Sequence, residues 1–61
     1  MTEELSVRRE KANLTQEELA QKLGVGQSAV SMWETGKSTP RPDVLKKLAA
    51  LFGCTIDELL A

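Results

Sequence analysis

The sequence contains no histidine and no tyrosine, and its single cysteine is Cys54. One cysteine cannot form an internal disulfide, and without histidine it lacks the partners for a zinc site. No apolar run approaches the roughly 20 residues of a transmembrane helix. We therefore expect neither a membrane span nor a signal peptide, and we expect a reducing, cytoplasmic location.

Side chains suited to catalysis are also scarce. The adjacent carboxylates of Glu17–Glu18 and of Asp57–Glu58 diverge on a helix, because neighbouring residues point about 100° apart. Gly24 and Gly26 are not followed by the lysine and hydroxyl of a phosphate-binding loop. We expect no enzymatic activity, no cofactor, no metal site and no small-molecule ligand.

The 61 residues are predicted to form one small domain, residues 1–61. A domain of this size buries only about 60% of its unfolded surface. The net charge of −1 and the pI of 5.3 argue mildly against indiscriminate binding to nucleic acids. The charge is unevenly distributed, however, because the only charged residues between Thr35 and Pro42 are Lys37 and Arg41. This segment is therefore basic.

The central motif is residues 15–37, TQEELAQKLGVGQSAVSMWETGK. Thr15, followed three residues later by Glu18, predicts a capping box at the start of a helix. Gly24 is expected to end that helix in the left-handed conformation that glycine adopts most easily. A second helix can follow the Gly-Val-Gly turn. The motif therefore predicts a helix-turn-helix over about residues 16–35.

The second helix of the motif, predicted from position 27 to about 35, divides into two faces. One face is apolar except for its glutamate and consists of Ala29, Val30, Trp33 and Glu34. The other face consists of Gln27, Ser28, Ser31, Met32 and Thr35. Amide, hydroxyl and thioether groups on one face suit contacts with base edges, thymine methyls and phosphates. The alternative is an ordinary solvated face, which most polar helix faces are.

Three further helices complete an all-α prediction of five helices. The first covers about residues 3–12, and its inward arc consists of Leu5, Arg9 and Ala12. The fourth covers residues 42–52, starts with a proline and has an apolar arc of Val44, Leu45, Leu48, Leu51 and Phe52. A second capping box at Thr55 and Glu58 predicts a short fifth helix, with a cluster of Ile56, Leu59 and Leu60.

An arginine on the inward arc of the first helix requires a partner. An unpaired buried charge costs several kcal/mol, so buried charges are usually paired. Glu34 is the acidic residue in the second half of the central motif, and it borders the buried arc of its helix. We infer a partly buried ion pair between Arg9 and Glu34, tying the first helix to the third. The alternative is that both side chains reach solvent separately.

These features resemble the helix-turn-helix domain of the phage repressor and Cro family, also called the XRE type. The resemblance covers residues 5–60 and rests on the combination of Leu14-Thr15-Gln16, Leu19-Ala20, Gly24-Val25, Trp33-Glu34, Gly36-Lys37, Pro40 and Asp57-Glu58-Leu59-Leu60. It implies a lambda-repressor-like fold, a compact five-helix bundle whose third helix enters the major groove of DNA. It also implies an arginine–glutamate pair at Arg9 and Glu34.

The resemblance further implies two sets of DNA-contacting residues. The set that faces base edges is Gln27, Ser28, Ser31 and Met32. The set that approaches the sugar-phosphate backbone is Thr15, Gln16, Thr35, Lys37, Ser38 and Thr39. In this family pattern Gln16 also braces Gln27.

Two residues depart from the family pattern. Gly26 stands where serine or threonine is usual, which removes a side-chain cap and a phosphate contact, although glycine is an acceptable N-cap. Met32 stands where arginine, lysine or glutamine is common, so we expect apolar contact with thymine methyls instead of hydrogen bonds to guanine. Both departures predict modest affinity for DNA.

The predicted function is sequence-specific binding to double-stranded DNA by a transcriptional regulator, a repressor of bacterial or phage type. We expect a homodimer on a near-palindromic operator, formed by the fifth helix and the end of the fourth, around Ile56 and Leu60. The alternative is a protein-interaction or antitoxin-like module that uses the same helical bundle. Steep salt dependence of binding to DNA would distinguish the first function from the second.

Overall fold

Five α-helices account for the regular structure of residues 3–60, the part of the chain that the computed structural model describes. Residues 1, 2 and 61 of the predicted domain lie outside this range. The helices are α1 (Glu3–Lys11), α2 (Gln16–Leu23), α3 (Gln27–Glu34), α4 (Pro42–Phe52) and α5 (Ile56–Leu60). No strand occurs within residues 3–60, which confirms the all-α prediction for them.

Capping boxes begin α2 and α5, as the sequence predicts. At α2, Thr15 Oγ1 accepts a hydrogen bond of 3.1 Å from the Glu18 backbone N–H, and Glu18 Oε1 accepts one of 2.9 Å from the Thr15 N–H. Thr55 and Glu58 form the same two bonds, of 3.1 and 2.9 Å, at α5. The backbone N–H groups of the two threonines stabilise the ionised carboxylates and so lower the pKa of Glu18 and of Glu58.

Left-handed residues follow the ends of four helices, at Asn13, Gly24, Gly36 and Gly53. This conformation is most consequential at Gly24, where φ is +72° and the chain turns from α2 toward α3. A residue with a β-carbon would pay roughly 1–2 kcal/mol in this conformation. The glycine therefore allows α2 to end abruptly and α3 to begin three residues later.

The hydrophobic core forms where all five helices meet. Each helix contributes a completely buried side chain, and these residues are Leu5, Leu19, Val30, Leu48 and Leu59. Full burial of a large apolar side chain is worth about 1.5–3 kcal/mol relative to exposure. Because helices of 5 to 11 residues are marginal in isolation, this shared core stabilises them.

Two residues that the periodicity placed inside the bundle, Ala12 and Leu51, are exposed, so those predictions are wrong. Ala12 lies in the turn after α1, where helical periodicity no longer applies. Leu51 is 41% exposed because an open groove of about 280 Å³ separates the ends of α1 and α4, lined by Arg8, Lys11, Ala12, Leu51 and Phe52. Leu60 is 45% exposed because the neighbouring Leu59 takes the inward position in the last turn of α5.

The thiol of Cys54 is free and half buried, and it packs against the hydrophobic core. Among the side chains that the structure describes, residues 4–60, no group of three or more could hold a metal ion. None of the helices formed by these residues has the length and hydrophobicity needed to cross a bilayer.

Candidate nucleic-acid interface

The α2 and α3 helices make the most extensive contact between any two helices of residues 3–60. A turn of Gly24, Val25 and Gly26 joins them, and Val25 donates its N–H to the Ala20 carbonyl oxygen at 3.0 Å. Gly26 occupies the N-cap position of α3 with extended backbone, φ −79° and ψ 154°, and makes no side-chain hydrogen bond. The result is a tight helix-turn-helix whose second helix begins without a side-chain cap.

The two faces of α3 differ in exposure along its eight residues. On the inward face, Val30 is fully buried and Trp33 is 5% exposed. On the outward face, Gln27 and Ser28 are exposed, and Met32 is 42% exposed. This outward face, with the half-buried Ser31 and the exposed Thr35, carries every residue predicted to face base edges.

An ion pair holds the inward side of α3 to α1. Arg9 Nε donates to Glu34 Oε2 at 2.7 Å, and Arg9 Nη2 donates to Glu34 Oε1 at 3.3 Å. Arg9 Nη1 also donates to the Leu14 carbonyl oxygen at 2.7 Å. The side chains of Arg9 and Glu34 are only 13% and 8% exposed. The hydrogen bond to Glu34 raises the pKa of Arg9.

Gln16 connects this ion pair to the outward face of α3. Its Nε2 donates to Glu34 Oε1 at 3.0 Å. On the other side, Gln27 Nε2 lies 3.5 Å from Gln16 Oε1, at the outer limit of hydrogen bonding. The bracing contact between Gln16 and Gln27 is thus present but long, and Gln16 is half buried between the starts of α2 and α3.

The loop after α3 folds back against the end of that helix. The backbone N–H groups of Lys37 and Ser38 donate to the Met32 carbonyl oxygen at 2.9 and 3.3 Å. Lys37 and Thr39 are exposed and Ser38 is half buried. Thr35 uses its hydroxyl within the protein, because Oγ1 donates to a carbonyl oxygen one turn earlier in α3 at 3.0 Å. The loop therefore presents Lys37 beside the polar face of α3, whereas the Thr35 hydroxyl proton is already engaged.

Two cations of this loop are available to an external anion. Lys37 and Arg41 are exposed, and no carboxylate of residues 4–60 lies within ion-pair distance of either. Arg8 and Arg9, by contrast, both lie within that distance of glutamates. Free cations beside a polar helix face are the electrostatic arrangement that suits phosphates.

Two partners of the ion pair, the Leu14 carbonyl oxygen and the Gln16 amide, were not predicted from the sequence. The sequence does hint at the position of Gln16. It shares an arc of α2 with Leu19 and Ala20, and this arc faces α3. Nothing in the pattern signalled the Leu14 carbonyl, because backbone acceptors in a turn do not follow side-chain periodicity.

A family model described as helix-turn-helix matches residues 5–59 of the chain. The chain is 48% identical over 59 residues to the HTH-type transcriptional activator BcrR of Enterococcus faecalis, covering 97% of this chain and 29% of that protein. It is 37% identical over 49 residues to the cryptic phage CTXphi transcriptional repressor RstR of Vibrio cholerae, covering 80% of this chain and 44% of RstR.

An archaeal protein is also similar. The uncharacterized HTH-type transcriptional regulator MJ0272 of Methanocaldococcus jannaschii is 43% identical over 47 residues, covering 77% of this chain and 71% of that protein. The chain thus spans about three tenths of the length of BcrR, less than half of RstR and most of MJ0272.

Proposed function

The chain belongs to the helix-turn-helix family whose model matches residues 5–59, and from this membership we propose that it binds double-stranded DNA sequence-specifically to regulate transcription. The relatives support this proposal, since BcrR is named as a transcriptional activator and RstR as a transcriptional repressor. In the proposed mode, α3 lies in the major groove and α2 crosses the phosphate backbone.

The observation that carries the proposal is the outward face of α3. Gln27, Ser28 and Met32 are exposed on a helix whose opposite face is buried in the core. The Gln27 amide can form paired hydrogen bonds with adenine, and the Ser28 and Ser31 hydroxyls can bond to several base edges. Met32 offers an apolar surface to thymine methyls. The proposed base-facing set remains Gln27, Ser28, Ser31 and Met32.

The proposed backbone contacts flank this face. Thr15 and Gln16 lie at the start of α2, and Lys37, Ser38 and Thr39 lie in the loop after α3. The Thr15 hydroxyl accepts from Glu18 and keeps its own proton for a phosphate oxygen. Thr35, directly after α3, is also a proposed backbone contact. Its hydroxyl would have to break its hydrogen bond to a carbonyl oxygen of α3 before it could donate to a phosphate.

Repression is the proposed outcome, because a domain seated in the major groove of a promoter obstructs other proteins that need the same DNA. Activation would require a further contact with the transcription machinery. Since the proposed binding site is a promoter on chromosomal or phage DNA, the proposed location is the cytoplasm.

A homodimer is the proposed binding unit, with α5 and the end of α4 as its interface. Leu60 and Leu51 are 45% and 41% exposed, and the half-buried Ile56 lies on α5. These apolar surfaces would be covered in a dimer, and two α3 helices would then enter successive major grooves about 34 Å apart. Sedimentation that detects only monomers at high concentration, both with and without operator DNA, contradicts this arrangement.

Selection from a random duplex library at two salt concentrations tests the DNA-binding proposal. We expect enriched near-palindromic sites and an affinity that falls with salt by a log–log slope of about −0.9 per neutralised phosphate. Lys37→Ala should reduce the size of that slope by about 1 and leave the preferred sequence unchanged. Lys11→Ala, at the end of α1 outside the helix-turn-helix, is the control and should leave the slope unchanged.

The opposite result would favour a protein-interaction module. In that case no duplex is enriched, and association with a protein partner persists at high salt. Such a result would contradict the proposed function, while the family membership and the fold would stand.

A further inference from the structure

Four side chains form a continuous series of contacts from α1 to the outward face of α3. Arg9 donates to Glu34, Gln16 donates to Glu34 Oε1 at 3.0 Å, and Gln27 Nε2 lies 3.5 Å from Gln16 Oε1. Glu34 is 8% exposed and Arg9 is 13% exposed, so the inner end of the series is fixed within the bundle. The outer end is the exposed amide of Gln27.

The direction of each hydrogen bond in this series is fixed by chemistry. An ionised carboxylate has no proton and can only accept, so Gln16 must turn its NH₂ group toward Glu34. Its carbonyl oxygen then faces Gln27, and because that oxygen also can only accept, Gln27 must turn its own NH₂ group toward Gln16. The carboxylate of Glu34 thereby sets the orientation of two successive amides.

This orientation limits what Gln27 can offer to a base. One of its two amide protons points to Gln16, which leaves one N–H and one carbonyl oxygen facing outward. Adenine presents an acceptor and a donor side by side in the major groove, whereas guanine presents two acceptors. A glutamine with both protons free could donate both to guanine. A glutamine with one proton engaged can form two hydrogen bonds with adenine but only one with guanine.

We propose that Glu34, acting through Gln16, is a positioning residue that makes Gln27 discriminate adenine against guanine in the major groove. This inference rests on the proposed function, because it assumes that α3 contacts base edges. It gives the buried ion pair a second role. Arg9 stabilises the bundle by neutralising Glu34, and the same carboxylate determines which base the outward face accepts.

The test compares two duplexes that differ only in adenine or guanine at one operator position. The operator position is chosen as the one at which the wild-type protein prefers adenine over guanine and Gln27→Ala does not. Gln16→Leu removes the link and keeps a side chain of similar size, and we expect it to reduce the adenine-over-guanine ratio by about tenfold. Overall affinity also falls if a phosphate contact is lost, but that loss affects both duplexes equally, so the ratio is the informative quantity.

A second test exchanges the amide and the carboxylate between positions 16 and 34. Glu34→Gln allows the amide at position 34 to donate or to accept, so the orientation of Gln16 is no longer fixed and the ratio should fall. Adding Gln16→Glu restores an acceptor-only group beside Gln27, and the double variant should recover the adenine preference. A role confined to packing would not produce this recovery.

Arg9→Ala serves as the stability control, measured at a temperature where circular dichroism shows every variant folded. It weakens the bundle but leaves the contact of Gln16 with Glu34, so we expect an unchanged adenine-over-guanine ratio. The inference is overturned if Gln16→Leu keeps the wild-type ratio, or if Arg9→Ala changes it as much as Gln16→Leu does. A wild-type protein that selects no duplex overturns the proposed function, and the positioning role of Glu34 with it.

Discussion

The two faces of α3 differ in how many contacts their side chains make within the protein. The inward face is saturated with contacts, since Val30 and Trp33 are buried and Glu34 accepts from two side chains. The outward face has almost none, and Met32 is left 42% exposed although it is apolar. A binding surface is expected to expose apolar and amide groups in this way, on a helix whose other side is well packed.

One side chain, Gln16, contacts residues on both faces of α3 and so links the two faces at their boundary. Gln16 contacts Glu34 on the inward side and Gln27 on the outward side. Substitutions far from this boundary should therefore affect either stability or DNA binding, and only those at the boundary should affect both. The following changes test that separation, from the largest expected effect to the smallest.

Arg9→Ala should have the largest effect and should act on stability. It leaves the carboxylate of Glu34, 8% exposed, without its charged partner, so we expect the free energy of unfolding to fall by about 3–5 kcal/mol. Urea unfolding measures this change. Arg8→Ala is the matched control, because Arg8 pairs with the more exposed Glu4 and should cost about 1 kcal/mol or less. Equal unfolding midpoints for wild type and Arg9→Ala would contradict the prediction.

Gln27→Ala should act on DNA binding alone. We expect the affinity for the selected operator to fall by about 1–3 kcal/mol, because one paired base contact is lost. The free energy of unfolding should stay within about 0.5 kcal/mol of wild type, since Gln27 is exposed. Titration of labelled duplex and urea unfolding give the two values. Gln21→Ala, an exposed glutamine of α2, should change neither, and a large loss of stability in Gln27→Ala would mean that the two faces are not separable.

Gly26→Ser should stabilise the domain by a few tenths of a kcal/mol, because it supplies the missing N-cap of α3. The backbone φ of −79° suits serine, and the nearest atom to an added β-carbon is Ser28 Oγ at 3.8 Å. Gly24→Ser is the contrasting control, since φ there is +72° and the substitution should cost about 1 kcal/mol. Thermal unfolding of the two variants compares them directly, and a lower melting temperature for Gly26→Ser would exclude a capping role.

Acid should weaken the capped starts of α2 and α5. The pKa values of Glu18 and Glu58 are lowered in the folded protein, so their contribution to stability is fully present above the ordinary carboxyl pKa of 4.5. It is lost as the pH falls through their lower folded-state pKa values. The double variant Glu18→Gln and Glu58→Gln should therefore show a shallower loss of stability with acid. Urea unfolding between pH 7 and acid pH measures it, and an unchanged acid dependence would argue against the capping boxes as its source.

Local chemistry made much of the fold predictable from the sequence. Thr15 with Glu18 and Thr55 with Glu58 predict helix starts because each pair needs only a three-residue spacing. Gly24 predicts a helix end because few other residues adopt the left-handed conformation at low cost. The Arg9–Glu34 pair was predictable for a related reason, since an inward arginine admits few partners in so small a domain.

Helical periodicity predicted burial wrongly where no other helix packs against the predicted inward face. A helical wheel treats every turn of a helix as equally covered, but the end of α4 faces an open groove, so Leu51 is exposed. The contact of Gln16 with Glu34 was missed for a different reason. Each wheel describes one helix, whereas this contact depends on how α2 and α3 cross, which the sequence pattern does not specify.

The ion pair also bears on the order in which the domain assembles. Each capping box joins residues three positions apart, whereas Arg9 and Glu34 lie 25 positions apart in the sequence. Closing the longer loop costs more chain entropy, so the helix starts can form early and the ion pair forms only once α1 and α3 have come together. An interaction formed late in folding mainly slows unfolding. The ion pair that joins α1 to α3 thus also governs how long the native bundle persists once it has formed.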